Sequence, residues 1–128
     1  MSHLFSRLGA ASCFLGVCFG AFGAHGLKDG LAPELFSAYE TGVLYHLFHS
    51  LGLFAIAMLH DRNPTKGLVI GGWCMVMGIV LFSGSLYTMA LTGYKTLGWV
   101  TPVGGTTWLV GWASSLWGIQ RPPHGEDS

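Results

Sequence analysis

Charge is what this sequence has least of. Six Lys or Arg and six Asp or Glu make up 9% of its 128 residues and cancel to a formal net charge of +0. A typical soluble protein is roughly 25% charged. A small soluble domain exposes much surface per unit volume and must cover it with polar groups. So few charges cannot do that for a chain that is 51% hydrophobic with a mean hydropathy of +0.51. Lipid is therefore the expected solvent. Missing too is any basic patch with interleaved aromatics, which removes nucleic acid from the expected partners.

Cysteine chemistry is thin as well. Cys13, Cys18 and Cys74 are odd in number, lie in apolar stretches and lack CxxC spacing. That pattern reads as packing rather than as a disulfide framework or zinc site. No HExxH or CxxCH motif, phosphate loop or nucleophile–base pair stands out, so no catalytic residue and no metal ligand is assigned and the reading leans away from an enzyme. The apolar–polar alternation of barrel strands is also missing.

What is present is a series of apolar runs bounded by charges. Arg7 and Lys28 bracket the first, Glu40 and Asp61 the second, Lys66 and Lys95 the third, Lys95 and Arg121 the fourth. Each is near or above the roughly 20 residues a spanning helix needs. Backbone groups in hydrocarbon must bond within their own segment, so these runs are helices. The expected fold is all-α: an integral membrane four-helix bundle in one domain over residues 1–121, with spans at about 7–26, 41–60, 67–91 and 98–119 and a polar tail at 122–128. The first run has a rival reading as a signal peptide, with basic Arg7, an apolar core and small residues in "GAFGA". In "APELFSAYE", Pro33 and the acids after it predict a short interfacial helix between spans 1 and 2. "HDRNPTK" is a turn. Arg7, Arg62, Lys66 and Arg121 fall on one side of such a bundle and Lys28 and Lys95 on the other, so both termini are expected in the cytoplasm.

Close helix approach in lipid depends on small residues. Gly16 and Gly20 in the first span, Gly67 and Gly71 in the third, and Gly111 in the fourth, between Thr107 and Ser115, have the required four-residue spacing. Trp73, Trp99 and Trp117 sit near span ends, where an aromatic belt is expected.

The segment "ETGVLYHLFHS" then poses a question, because it carries Glu40, Tyr45, His46 and His49 into an apolar run. Antiparallel threading brings these residues to one depth, in the non-cytoplasmic half, with His25, with Ser83, Ser85 and Tyr87, and with Thr101. Ionisable residues inside spans usually face the bundle interior and mark sites. Four readings stay open. The cluster is hydrogen-bonding glue between helices, a pocket for a quinone or lipid, a metal or haem site using His25 with His46 or His49, or a proton relay. No cofactor is assigned, and haem and quinone are the ligand classes left open. The expected partners are the bilayer and either a second copy or another membrane protein.

The segments "GAFGAHGLK", "ETGVLYHLFHSLGL", "GIVLFSGSLY" and "GWVTPVGG", followed by "VGW", occur in an order that resembles the YgdD/YwdK family of small bacterial inner-membrane proteins. Eukaryotic relatives of that family are called transmembrane protein 256-like. The resemblance runs from Arg7 to about Trp112. It implies a multi-span protein of the inner membrane, usually described with four helices, under a domain-of-unknown-function label. It implies no established reaction or catalytic residue. The family pattern often has Gln at the position of His46, whereas His25 and His49 fit it. On that resemblance, a single site would fall on His25, Glu40, Tyr45 and His49.

Overall fold

The computed structural model describes residues 1–120 and Pro122. Apart from Pro122, the polar tail expected at 122–128 lies outside the described residues, as does Arg121. Among the described residues every regular element is helical. Four long helices make up the described residues. α1 runs Ser2–Leu27 and its last turn, Gly23–Leu27, is a π turn. α2 runs Pro33–Arg62. α3 runs Lys66–Thr92 and contains a π turn at Ile79–Ser83. A short 3₁₀ turn, Lys95–Trp99, leads into α4, Thr101–Ile119. α1, α2 and α3 are long and apolar enough to cross a membrane. α4, with 19 residues, is shorter and is studded with Gly, Thr and Ser.

The helix ends follow local chemistry. Ala32 is extended (ψ 145°) because a proline follows it, and Pro33 opens α2 where its missing N–H costs nothing. Glu34 lies in the first turn, and His60 and Arg62 in the last, each matched to the helix dipole. Pro64 prevents continuation past Asn63. The Thr65 hydroxyl accepts the Leu68 N–H at 3.4 Å and caps α3. α3 stops at Gly93, whose φ of 76° suits glycine and whose N–H bonds to the Met89 carbonyl at 2.8 Å.

One expectation is corrected here. The segment after Pro33 does not form a separate short interfacial helix, because α2 is a single helix of 30 residues. Nothing between Pro33 and Thr41 breaks a helix, and Glu40 is simply an exposed side chain on it. At 1.5 Å per residue α2 is about 45 Å long, longer than the roughly 30 Å hydrocarbon core. His46 lies near the middle of this helix.

Contacts show that successive helices alternate in direction. Ser2 at the start of α1 bonds Asp61 at the end of α2 (3.2 Å). Gly42, early in α2, packs against Leu86 and Tyr87 late in α3, while Gly52 lies near Met75. Ser85 and Thr101 meet where α3 ends and α4 begins, and Gly67 meets Gly118 at the other end.

Small residues mark the closest approaches. A Cβ built on Gly67 would lie 2.5 Å from the Ser114 carbonyl oxygen and 2.8 Å from the Gly118 Cα. One on Gly111 would lie 2.6 Å from the Cys74 Cβ, and Gly71 faces Ser115 and the Gly111 carbonyl. α3 and α4 thus touch backbone to backbone. On α1, Gly16 receives the Leu47 side chain and Gly20 that of Val43, so α1 lies along α2. An apolar core of Phe5, Leu53, Ile56, Leu68, Met75 and Trp108 fills one end, and a smaller cluster of Tyr39, Tyr87 and Ala90 the other.

Candidate functional site

Between these two clusters lies a band of buried polar side chains. His46 and His49 project from α2, and each is 4% exposed. Spaced three residues apart, they point to different neighbours.

His46 sits between α1 and α3. Its Nδ1 is 2.8 Å from the Tyr87 hydroxyl and its Nε2 is 3.0 Å from the Ser12 hydroxyl. Ser12 lies 2.6 Å from the Ser50 hydroxyl, and Ser50 donates to the His46 backbone carbonyl at 2.7 Å. The donors can be assigned from that end, because a carbonyl only accepts. The hydrogen of Ser50 is committed to it, so Ser12 donates to Ser50. Ser12 then accepts from Nε2–H of His46, which leaves Nδ1 to accept from the Tyr87 O–H. His46 is thereby a neutral ring with one donor and one acceptor, both engaged. Tyr87 is held in turn by a ring stack on Phe19 (centroids 4.4 Å apart, planes within 16°).

His49 sits against α4. Its Nδ1 is 2.8 Å from the Tyr45 carbonyl, which can only accept, so Nδ1 carries the hydrogen. Its Nε2 accepts the Trp112 indole N–H at 3.2 Å. One face of the ring lies flat on Trp108, at 3.6 Å between centroids and 4° between planes. Trp108 in turn donates its indole N–H to the Met75 carbonyl (3.2 Å). Neither nitrogen of either buried histidine offers a free lone pair to a metal in this arrangement.

The other residues singled out in the sequence divide. Ser83 is fully buried and donates to the Gly42 carbonyl at 2.7 Å, tying α3 to α2. Ser85 donates to the Phe82 carbonyl (2.8 Å) and pairs with the Thr101 hydroxyl (2.6 Å), tying α3 to α4. Tyr45 is 43% exposed, with its ring beside Phe82 and Trp108. Glu40 is exposed six residues before His46. His25 is exposed in the π turn of α1, about 20 Å along that helix from Ser12 at 1.5 Å per residue, so it does not share a site with either buried histidine. Among the described residues no group of three His, Cys, Asp or Glu side chains could hold a metal ion.

Four residues that complete this band carry no clear sequence signal. Ser12 and Ser50 are small residues in apolar helices, and a serine there reads as packing. Trp108 and Trp112 are apolar-run aromatics with no motif around them, yet Trp108 is 3% exposed. The available hint is general: a polar group in a span needs a partner.

Beside His49, between α2 and α4, the surface opens into a groove of about 530 Å³ whose lining is mainly aromatic, including Tyr45, Phe48, Phe82 and Trp108.

Comparison with known proteins gives this chain relatives. The pattern described as "Protein of unknown function (DUF423)" matches residues 19–105. UPF0382 membrane protein YwdK of Bacillus subtilis (strain 168) is 46% identical over 110 residues, covering 85% of this chain and 89% of the relative. A UPF0382 membrane protein of Haemophilus influenzae is 40% identical, covering 92% and 94%. UPF0382 inner membrane protein YgdD of Escherichia coli (strain K12) is 38% identical, covering 88% and 86%. No solved structure matches the chain.

Proposed function

This chain belongs to the DUF423 family of membrane proteins, and from that premise we propose that it is a four-span inner-membrane bundle with both termini in the cytoplasm, acting as a non-catalytic accessory or interaction protein. One observation carries this reading: the buried polar side chains close on one another. Among the described residues no buried side-chain nitrogen or oxygen lacks a hydrogen-bond partner. Groups that act on a substrate are left pointing at the space it will occupy, whereas groups that join helices saturate each other. Here Tyr87, His46, Ser12 and Ser50 join α3, α2 and α1, and Trp112 and His49 join α4 to α2.

α4 crosses with the others because its glycines fit so closely to α3 that the two form one unit. Its own polar hydroxyls, on Thr106 and Thr107, bond back to the carbonyls of Pro102 and Val103 at 2.8 Å and so suit lipid. Basic Arg7, Arg62 and Lys66 lie at one end of the bundle and Lys28 and Lys95 at the other, which favours the first end inside. A second reading, a small-ligand role, draws support from the open groove beside His49 rather than from the buried band.

Cysteine labelling tests the arrangement. In a chain whose native cysteines are replaced by serine, Asp29→Cys is expected to react with an impermeant maleimide in intact spheroplasts, and Asn63→Cys only after lysis. Equal reaction of both before lysis sinks the four-span reading. Blue-native electrophoresis of the mildly solubilised membrane reads the accessory role directly. A band no larger than the single chain in its detergent micelle argues against a partner or a second copy.

A further inference from the structure

A second groove, of about 250 Å³, runs between α1 and α2. Its α1 wall is Gly20, Gly23 and Ala24, which have little or no side chain to fill it. Its α2 wall carries Phe36, Glu40 and Leu44, four residues apart and therefore in one row along the helix. Leu47 extends that row by a further turn. Tyr39 closes the floor and offers no surface of its own. It is 1% exposed, occupies the space over Gly23 and donates its hydroxyl to the Phe19 carbonyl.

Glu40 is the one charge in this row. It is exposed, and among the described residues it makes neither an ion pair nor a hydrogen bond. Among those residues no Lys, Arg or His lines the groove. α2 begins at Pro33, so at 1.5 Å per residue Glu40 stands about 10 Å in from that end. The helix exceeds the roughly 30 Å hydrocarbon core by about 15 Å, which leaves about 7 Å outside at each end when it is centred. Glu40 therefore falls close to the edge of the hydrocarbon, with Leu44 and Leu47 deeper in it. A carboxylate between apolar walls at that depth is costly unless an opposite charge reaches it. Phe36 stands one turn away, half-buried and stacked on no other ring among the described residues. An aromatic ring attracts cations through its π face.

We infer that this groove binds a membrane-soluble organic cation, with an ammonium head, one apolar chain and no phosphate. The ammonium meets the Glu40 carboxylate beside Phe36, and the chain lies along Leu44 and Leu47. Charge decides the class. A neutral amphiphile leaves the carboxylate unpaired. A phospholipid brings an ammonium but also a phosphate, and no basic side chain lines the groove to receive it. Size agrees, since about 250 Å³ is below the range of drug-sized sites and suits one chain rather than two. The inference needs α1 and α2 in a bilayer. It uses neither the crossing of α4 nor the accessory role.

The test is equilibrium dialysis of radiolabelled decyltrimethylammonium against the full chain in maltoside micelles, with protein-free micelles as the background. The wild type is expected to show saturable uptake that unlabelled cation displaces and decanol at the same concentration does not. Glu40→Gln keeps the shape and removes the charge, and is expected to weaken binding at least tenfold. Ala24→Leu, at an exposed position on the other helix, fills the groove and is expected to abolish saturable uptake. Circular dichroism checks that each variant stays helical, and either one suffices if the other fails to fold. Wild-type uptake no greater than that of protein-free micelles overturns the inference. So does unchanged affinity in Glu40→Gln, equal displacement by decanol, or native mass spectrometry showing a retained phospholipid that decyltrimethylammonium does not displace. Cysteine labelling reads the number of spans and native electrophoresis reads partners, so a failure of either is not confused with a failure of cation binding.

Discussion

The imidazole of His49 lies flat on the indole of Trp108, 3.6 Å between centroids and 4° between planes. The two residues belong to α2 and α4, which share few other polar ties, so this stack and the neighbouring Trp112 N–H bond are what fix α4 against α2. Aromatic pairs contribute about 0.5–1.5 kcal/mol beyond the area they bury.

Trp108→Ala is therefore expected to destabilise the protein by about 3–5 kcal/mol, the usual loss for a buried aromatic. Part of that loss should vanish when His49 is already absent. A double-mutant cycle of Trp108→Ala with His49→Ala, followed by thermal unfolding in detergent, measures the coupling. Full additivity would mean the stack contributes nothing.

At His46 the geometry demands one neutral donor and one neutral acceptor on the same small group. A glutamine amide has both, spaced like the two ring nitrogens. His46→Gln is expected to keep near-native stability. His46→Leu leaves the hydroxyls of Tyr87 and Ser12 without their partner, at about 1–3 kcal/mol for each buried group stranded. Comparing the melting temperatures of the two variants decides it, and an equal loss in both would refute the donor–acceptor account.

Gly67 meets backbone, which cannot move aside as a side-chain tip can. Gly67→Ala is expected to push α3 from α4 and to destabilise by about 1–3 kcal/mol, as overpacking does. Gly30→Ala, where a Cβ meets nothing within 4 Å, should change stability little. Chemical cross-linking between α3 and α4, together with the unfolding temperatures, separates these outcomes.

The π turn at Ile79–Ser83 holds one residue more than an α turn. Removing Val80, which is 59% exposed, should convert it to an α turn while both flanks keep their faces. Removing Ile70 from regular helix rotates the residues before it by about 100° against those after it and should abolish folding. Membrane yield and melting temperature of the two deletions report this. Equal damage from both would show that the extra residue does not act as a register insert.

Much of the architecture is legible in the order of residues. Scarce charge and long apolar runs identify an all-helical membrane chain, and the blocks around "ETGVLYHLFHS" and "GIVLFSGSLY" identify the family. Helix starts are harder to read. Glu40 looks like the border of a span, yet the helix begins at Pro33 and carries Glu40 on its exposed side. A charge marks a border only if its side chain cannot reach a polar layer, and one near a helix end can. Counted along the helix, His46 therefore falls near the middle of α2. His25 shows the reverse: its position beside a helix end suggests the cluster, but depth along α1 separates it from Ser12. Ser12 and Ser50 escape notice because their partners lie 34 or more residues away in sequence or are a backbone carbonyl. The π turns have no compositional signature at all.

The circuit of hydroxyls and imidazole around His46 returns to that residue's own carbonyl. A proton handed to it from Tyr87 finds no exit, since the peptide oxygen at the far end holds no hydrogen to pass on. The seam spends its hydrogens inside its own circuit, and what it does with them is hold α1, α2 and α3 together.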